Sequence, residues 1–140
     1  MASTIRLEIV SAQSELYSGD CEMVLAPATM GEVGIMPNHT PLLTTLKPGE
    51  VTVRMEGGNE ETFYVSGGVL EIQPHVVTIL SDTGQRAADI DEAAAMAAKE
   101  QAERALADRA ADVDEAAARA QLAQAAAQIR ALQKLRKTVR

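Results

Sequence analysis

The sequence predicts a β + α chain: an N-terminal antiparallel β-sandwich over residues 1–86, then a C-terminal antiparallel two-helix hairpin over residues 87–140. Three observations predict it. All 9 Gly and 5 Pro fall in the first 84 positions, ending at Gly84 and Pro74. From Ala87 to Arg140 there is neither, and 21 of those 54 residues are Ala, the strongest helix former. Short β-branched and aromatic runs, divided by turn residues, fill the first part at intervals typical of a sandwich or barrel.

Taken in order, Ile5, Leu7 and Ile9 alternate with Arg6, Glu8 and Val10, which makes a strand with one buried face. Cys21 suits a small position in a strand. Residues Gly31–Leu43 hold two Gly and two Pro and predict a rigid crossover between sheets, buried through Val33, Ile35, Met36, Leu42 and Leu43. Glu32 and His39 are its polar exceptions, hence candidates for a contact surface. Val51–Met55 and Glu61–Val65 flank a tip containing Gly57-Gly58, a hairpin with permissive glycines at its turn. Val69–Ile72 and Val76–Leu80 flank Pro74-His75 as a second hairpin.

Asp89-Ile90-Asp91-Glu92-Ala93-Ala94-Ala95 recurs 23 residues later as Asp112-Val113-Asp114-Glu115-Ala116-Ala117-Ala118. In each copy an Asp precedes a Glu by three, so Asp89 and Asp112 are expected to cap helices whose positive ends Glu92 and Glu115 favour. The predicted helices cover 90–109 and 113–138 and turn near Ala110-Ala111-Asp112. Leu122, Ala125, Ile129, Leu132 and Val139 line one inward face; Ile90, Ala93, Ala97 and Leu106 line the other. Alanine against alanine brings helices close but buries little apolar area, so the hairpin should dock and undock cheaply. The connection has no Gly or Pro, and a continuous helix of about 50 residues would reach roughly 75 Å. A two-state arm is therefore expected.

Charge is uneven. Residues 1–86 carry 4 Lys/Arg against 11 Asp/Glu, residues 87–115 carry 3 against 9, and residues 116–140 carry 6 against none. The terminal bases are Arg119, Arg130, Lys134, Arg136, Lys137 and Arg140, and they call for an acidic partner. The overall net charge of −7 and three aromatics, Tyr17, Phe63 and Tyr64, argue against nucleic acid. No apolar run is long enough for a membrane span and no signal peptide opens the chain, so a cytoplasmic location is expected. One Cys and two His cannot assemble a zinc set; no cofactor and no metal are expected.

An active site is equally poorly supported. A hydrolase would recruit His39 with Asp82 and a nucleophile among Ser11, Ser66 and Ser81, using the helices as an oligomerisation arm, but no Gly-x-Ser-x-Gly elbow occurs. Phosphate-binding glycine loops are also missing. A free adaptor with a homomeric coiled coil is disfavoured because Leu/Ile heptads are not sustained.

Gly31–Thr44, Ser66-Gly67-Gly68-Val69-Leu70-Glu71-Ile72-Gln73-Pro74 and Asp89-Ile90-Asp91-Glu92-Ala93 carry a resemblance over essentially the whole chain. The sequence resembles the epsilon subunits of bacterial F-type ATP synthases. The resemblance implies a non-catalytic subunit of the central rotor that couples proton flow to ATP formation, peripheral on the cytoplasmic side of the bacterial inner membrane and touching that membrane only through its complex. It implies that Glu32 and Gly34 meet the ring of c subunits, that Ser11 and His39 lie on the gamma-facing side, and that the helices restrain ATP hydrolysis. By the same resemblance Arg130, Lys134, Arg136 and Lys137 pair with an acidic segment of beta in the alpha/beta head. Some family members bind ATP through an Ile/Leu-Asp-x-x-Arg-Ala motif. Here Asp91 is present, but Ala94 stands where the arginine should be and Gln124 and Gln128 replace basic residues, so tight ATP binding is not expected.

Overall fold

The computed structural model describes residues 3–108 and 114–139. Among them are ten strands: β1 (Ile5–Ser11), β2 (Glu15–Cys21), β3 (Met23–Ala28), β4 (Gly31–Ile35), β5 (Leu42–Leu46), β6 (Gly49–Arg54), β7 (Glu60–Val65), β8 (Gly68–Ile72), β9 (Val76–Ser81) and β10 (Gly84–Arg86). Two α-helices follow, α1 (Glu92–Ala107) and α2 (Glu115–Val139). The strands run β10-β7-β6-β3-β5-β8-β9-β1-β2, with β4 paired to β3. Nearly every pair is antiparallel, but β1 joins β9 in parallel from Arg6 opposite Val76 to Ser11 opposite Ser81. Such a pair needs a long crossover, here most of the sandwich.

Alternation decides which side chains turn inward. Ile5, Leu7 and Ile9 of β1, Val51 and Val53 of β6, Phe63 and Val65 of β7, and Leu70, Ile72, Val77 and Ile79 of the second hairpin share one core. That core draws on both ends of the strand order, so the sheet closes over itself. Tyr17 sits edge-on to Phe63 with ring centres 5.9 Å apart, a favoured aromatic geometry.

The crossover expected over Gly31–Leu43 is largely strand. Gly31–Ile35 pairs with β3 and Leu42 begins β5, because Val33 and Ile35 turn inward while Glu32 and Gly34 turn out. Only residues 36–41 remain irregular, around Asn38 at φ 66°, a left-handed conformation that Asn tolerates.

The helix caps also differ from expectation. Asp91, not Asp89, caps α1, accepting the Ala94 N–H at 3.1 Å, and Asp114 accepts the Ala117 N–H at 3.1 Å. Asp89 ends a short 3-10 turn instead. Ile90 is extended and buried against the sandwich, which delays the helix until after Asp91. The seam on α1 passes through Ala95 and Ala102, with Ala93 and Ala97 exposed. Ala118 and Ala125 are buried on α2, with Leu122, Ile129 and Leu132 beside them. The expected connection at Ala110–Asp112, the capping Asp112 and the Val139 side chain lie outside the described residues.

The arm lies on the sandwich through one face. Glu50 and Thr52 of β6 and Thr62 and Tyr64 of β7 point away from the core, paired as Glu50 with Tyr64 and Thr52 with Thr62. Tyr64 packs with Ala87, Ile90, Ala95, Ala127, Ala131 and Leu132 in a second, smaller cluster.

Candidate functional site

His39 and the serines proposed for a hydrolase stand at opposite ends of one strand. The loop carrying His39 is pinned to the start of β9 by the Asn38 N–H donating to the Pro74 carbonyl at 2.9 Å. Ser11 pairs with Ser81 at the end of β9, and the Ser66 hydroxyl lies 3.4 Å from that of Ser81. Five residues of strand rise separate the ends by roughly 16 Å. Local bonds already engage each group: Ser11 donates to the Ser14 carbonyl at 3.1 Å, Ser81 to the Thr83 carbonyl at 2.7 Å, and His39 Nδ1 lies 2.6 Å from the Thr40 carbonyl. The hydrolase alternative is therefore rejected. Among the described residues no cluster of His, Cys, Asp and Glu could hold a metal ion.

Glu32 and Gly34 occupy successive outward positions of β4 and are exposed. A Cβ at Gly34 would meet only Leu25 and Met23 side-chain atoms at 3.5 Å, so glycine is not demanded there by packing. Glu32 lines a polar cleft with Lys47, Glu50 and Arg130. The expected ring contact and one of the arm's bases thus share a single cleft, which the sequence did not suggest.

Three basic residues of α2 contact groups beyond their own helix. Arg130 Nε lies 3.5 Å from a Glu50 carboxylate oxygen. Lys134 Nζ donates to the Thr52 hydroxyl, and Arg136 bonds Glu92 of α1. Lys137 is exposed. Glu50 and Thr52 were missed from sequence, and Glu92 was read only as a charge at a helix start; the signal for the first two was polar alternation along Glu50-Val51-Thr52-Val53, which says that a face is outward but not that a helix covers it.

Between the helices Ala98, Gln101, Gln121, Gln124 and Gln128 line a shallow groove of about 330 Å³. Its polar lining is amide throughout. Asp91 is committed to its cap, and Ala94 is exposed beside it.

Two family models together match most of the chain: the ATP synthase Delta/Epsilon chain beta-sandwich domain over residues 4–87 and the Delta/Epsilon chain long alpha-helix domain over residues 88–133. The ATP synthase epsilon chain of Nitrosococcus oceani is 62% identical over 137 residues, covering 98% of each chain. That of Legionella pneumophila is 54% identical over 140 residues, covering 100% of each. In fold, a chain of the Euglena gracilis mitochondrial ATP synthase matches with a TM-score of 0.72 at 20% identity, over 98% of this chain and 82% of that one.

Proposed function

The chain belongs to the delta/epsilon chain family of ATP synthase, and within it we propose a division of labour in which residues 1–86 anchor the subunit and residues 87–140 form a regulatory arm. It is an epsilon subunit, an accessory chain of the central stalk rather than the catalytic one. The sandwich meets the c-ring through Glu32 and Gly34 and the gamma subunit through the surfaces around Ser11 and His39. Ser11 acts there through the turn it holds, because its hydroxyl is occupied within that turn.

The arm carries Arg130, Lys134, Arg136 and Lys137 to an acidic segment of beta in the alpha/beta head and so restrains ATP hydrolysis, while the stalk couples proton flow to synthesis. No described helix is long and apolar enough to cross a membrane; attachment to the cytoplasmic face of the inner membrane comes through the complex. One observation carries the regulatory part: an alanine-rich arm rests on the outer sheet face through a second apolar cluster, smaller than the sandwich core, so its release uncovers far less apolar surface than opening the core would. The test is ATP hydrolysis by the assembled enzyme with and without residues 87–140. Hydrolysis is expected to rise with assembly intact; an unchanged rate sinks the restraining role.

A further inference from the structure

We infer that the free side of β4 is a main-chain docking edge, where the backbone N–H and C=O groups of Glu32 and Gly34 pair with a short extended segment that carries a base. Among the described residues β4 pairs with β3 alone, so one side of its backbone is left without a strand. Pro27 decides which groups lie there. It stands opposite Glu32, has no N–H to give, and its carbonyl accepts the Lys47 N–H at 3.0 Å from the other side of β3. Pro27 therefore faces away from β4. Because antiparallel partners alternate between bonded and non-bonded pairs, the bonded pairs are Val24 with Ile35, Ala26 with Val33 and Ala28 with Gly31. The intervening Glu32 and Gly34 direct their N–H and C=O groups at the free edge.

Sheet edges are commonly blunted by Lys, by Pro or by a covering element. The strand Gly31-Glu32-Val33-Gly34-Ile35 contains neither residue. Its outward side chains set what fits beside it. Glu32 and Gly34 are both exposed, and the Glu32 carboxylate forms no ion pair among the described residues, although Lys47 and Arg130 line the same cleft. Side chains opposite one another across a ladder share a face, so a base on the incoming segment would meet Glu32. An apolar side chain two positions from that base would lie across Gly34, against the Leu25 and Met23 side chains 3.5 Å from where a Cβ would stand.

The edge is short. Gly31 turns the chain at one end with φ +136°, and Pro37 follows the other end without an N–H. About three partner residues, roughly 10 Å of extended chain, can pair there. That length suits a loop better than a strand of another sheet. The partner is a loop of the c-ring, held by main chain more than by the Glu32 carboxylate; this deepens the ring contact proposed above and rests on it for the partner's identity.

Amide hydrogen exchange, resolved by residue, tests the edge in the free full chain and in the assembled enzyme. In the free chain Val33 and Ile35 should exchange at least about ten-fold more slowly than Glu32 and Gly34, at every protein concentration. In the assembled enzyme Glu32 and Gly34 should slow by roughly ten-fold or more. Equal exchange along β4 in the free chain overturns the inference, as does protection that appears there on concentration, which gives the edge to a second copy. Gly34→Pro removes the edge N–H and Gly34→Ala keeps it, so attachment to the enzyme should weaken roughly three- to ten-fold with proline alone; equal weakening by both overturns the hydrogen-bonded edge in favour of a purely steric contact. The ring reading separates from the edge by two further outcomes. Protection of Glu32 and Gly34 already present in the catalytic head with gamma but no ring keeps the edge and removes the ring as its partner. Fast exchange in the full assembly, with Glu32→Arg detaching the subunit, keeps the ring contact and overturns the main-chain edge.

Discussion

The guanidinium carbon of Arg86 lies 5.2 Å from the centre of the Phe63 ring, at the point where the sandwich ends and the arm begins. The same side chain donates to the Leu16 carbonyl at 2.8 Å and bonds Glu61, so one planar fork joins β2, β7 and β10. Arg86→Ala is expected to lower unfolding free energy by about 1–2 kcal/mol, read from the urea midpoint. Lysine should recover less than half of this, because an ammonium cannot stack and reach both acceptors together.

The two neighbouring aspartates before α1 separate cleanly. Asp91→Ala removes the acceptor for the Ala94 N–H and should cost about 1 kcal/mol with a visible loss of helical circular dichroism. Asp89→Ala should change the signal little, because its carboxylate caps no helix. Equal losses would contradict the observed cap.

Two glycines predict opposite outcomes. Gly68 has φ +135°, and a Cβ there would stand 1.9 Å from the Leu80 carbonyl oxygen. Gly68→Ala is therefore expected to destabilise the chain by roughly 3 kcal/mol or more. Gly34→Ala meets only ordinary contacts and should leave the melting temperature within a few degrees. It is thus a usable probe of the proposed ring surface, where ATP-driven proton pumping is the measurement.

Burial, and then the charge of Asp20, push the Cys21 thiol up from 9.0 to about 11. Tyr17 and Tyr64 are raised as well, first by burial. A raised acid keeps its proton longer in the folded chain, so the unfolded chain binds fewer protons at alkaline pH. The stability is complete below pH 9 and is lost as pH rises toward about 11. Unfolding free energy should fall by about 2 kcal/mol over that window. A thiol reagent at pH 8 should react only after denaturation.

The groove between the helices offers amides where a triphosphate needs cations. Calorimetry of the full chain with ATP is expected to show no micromolar binding. A micromolar dissociation constant would overturn this.

Much of the molecule was legible locally. The hairpins around Gly57-Gly58 and Pro74-His75 follow from alternation and turn chemistry, and both helices follow from alanine content and the repeated acidic starts. Strands β2 and β3 escaped notice because Glu15–Cys21 and Met23–Ala28 combine Gly, Asp and Pro with few β-branched residues. Their strand state is set by pairing with β1, β4 and β6, a long-range influence that overrides propensity. The α1 seam was misplaced by about half a turn for a related reason. With alanine at most positions the apolar stripe has no sharp direction, so Ala93 and Ala97 looked as inward as Ala95 and Ala102.

The sequence by itself determined that a β part precedes a helical part, which faces of β1, β6 and β7 are apolar, and that residues 116–140 bear bases alone, because propensity, alternation and charge act over a few residues. Only the tertiary structure decided that His39 and the serines are a strand length apart, that Glu32 and Arg130 line the same cleft, and that Glu50 and Thr52 receive the arm. Those relationships join residues up to 98 positions apart, and they exist only once the sheet has closed and its outer face is there for α2 to cover.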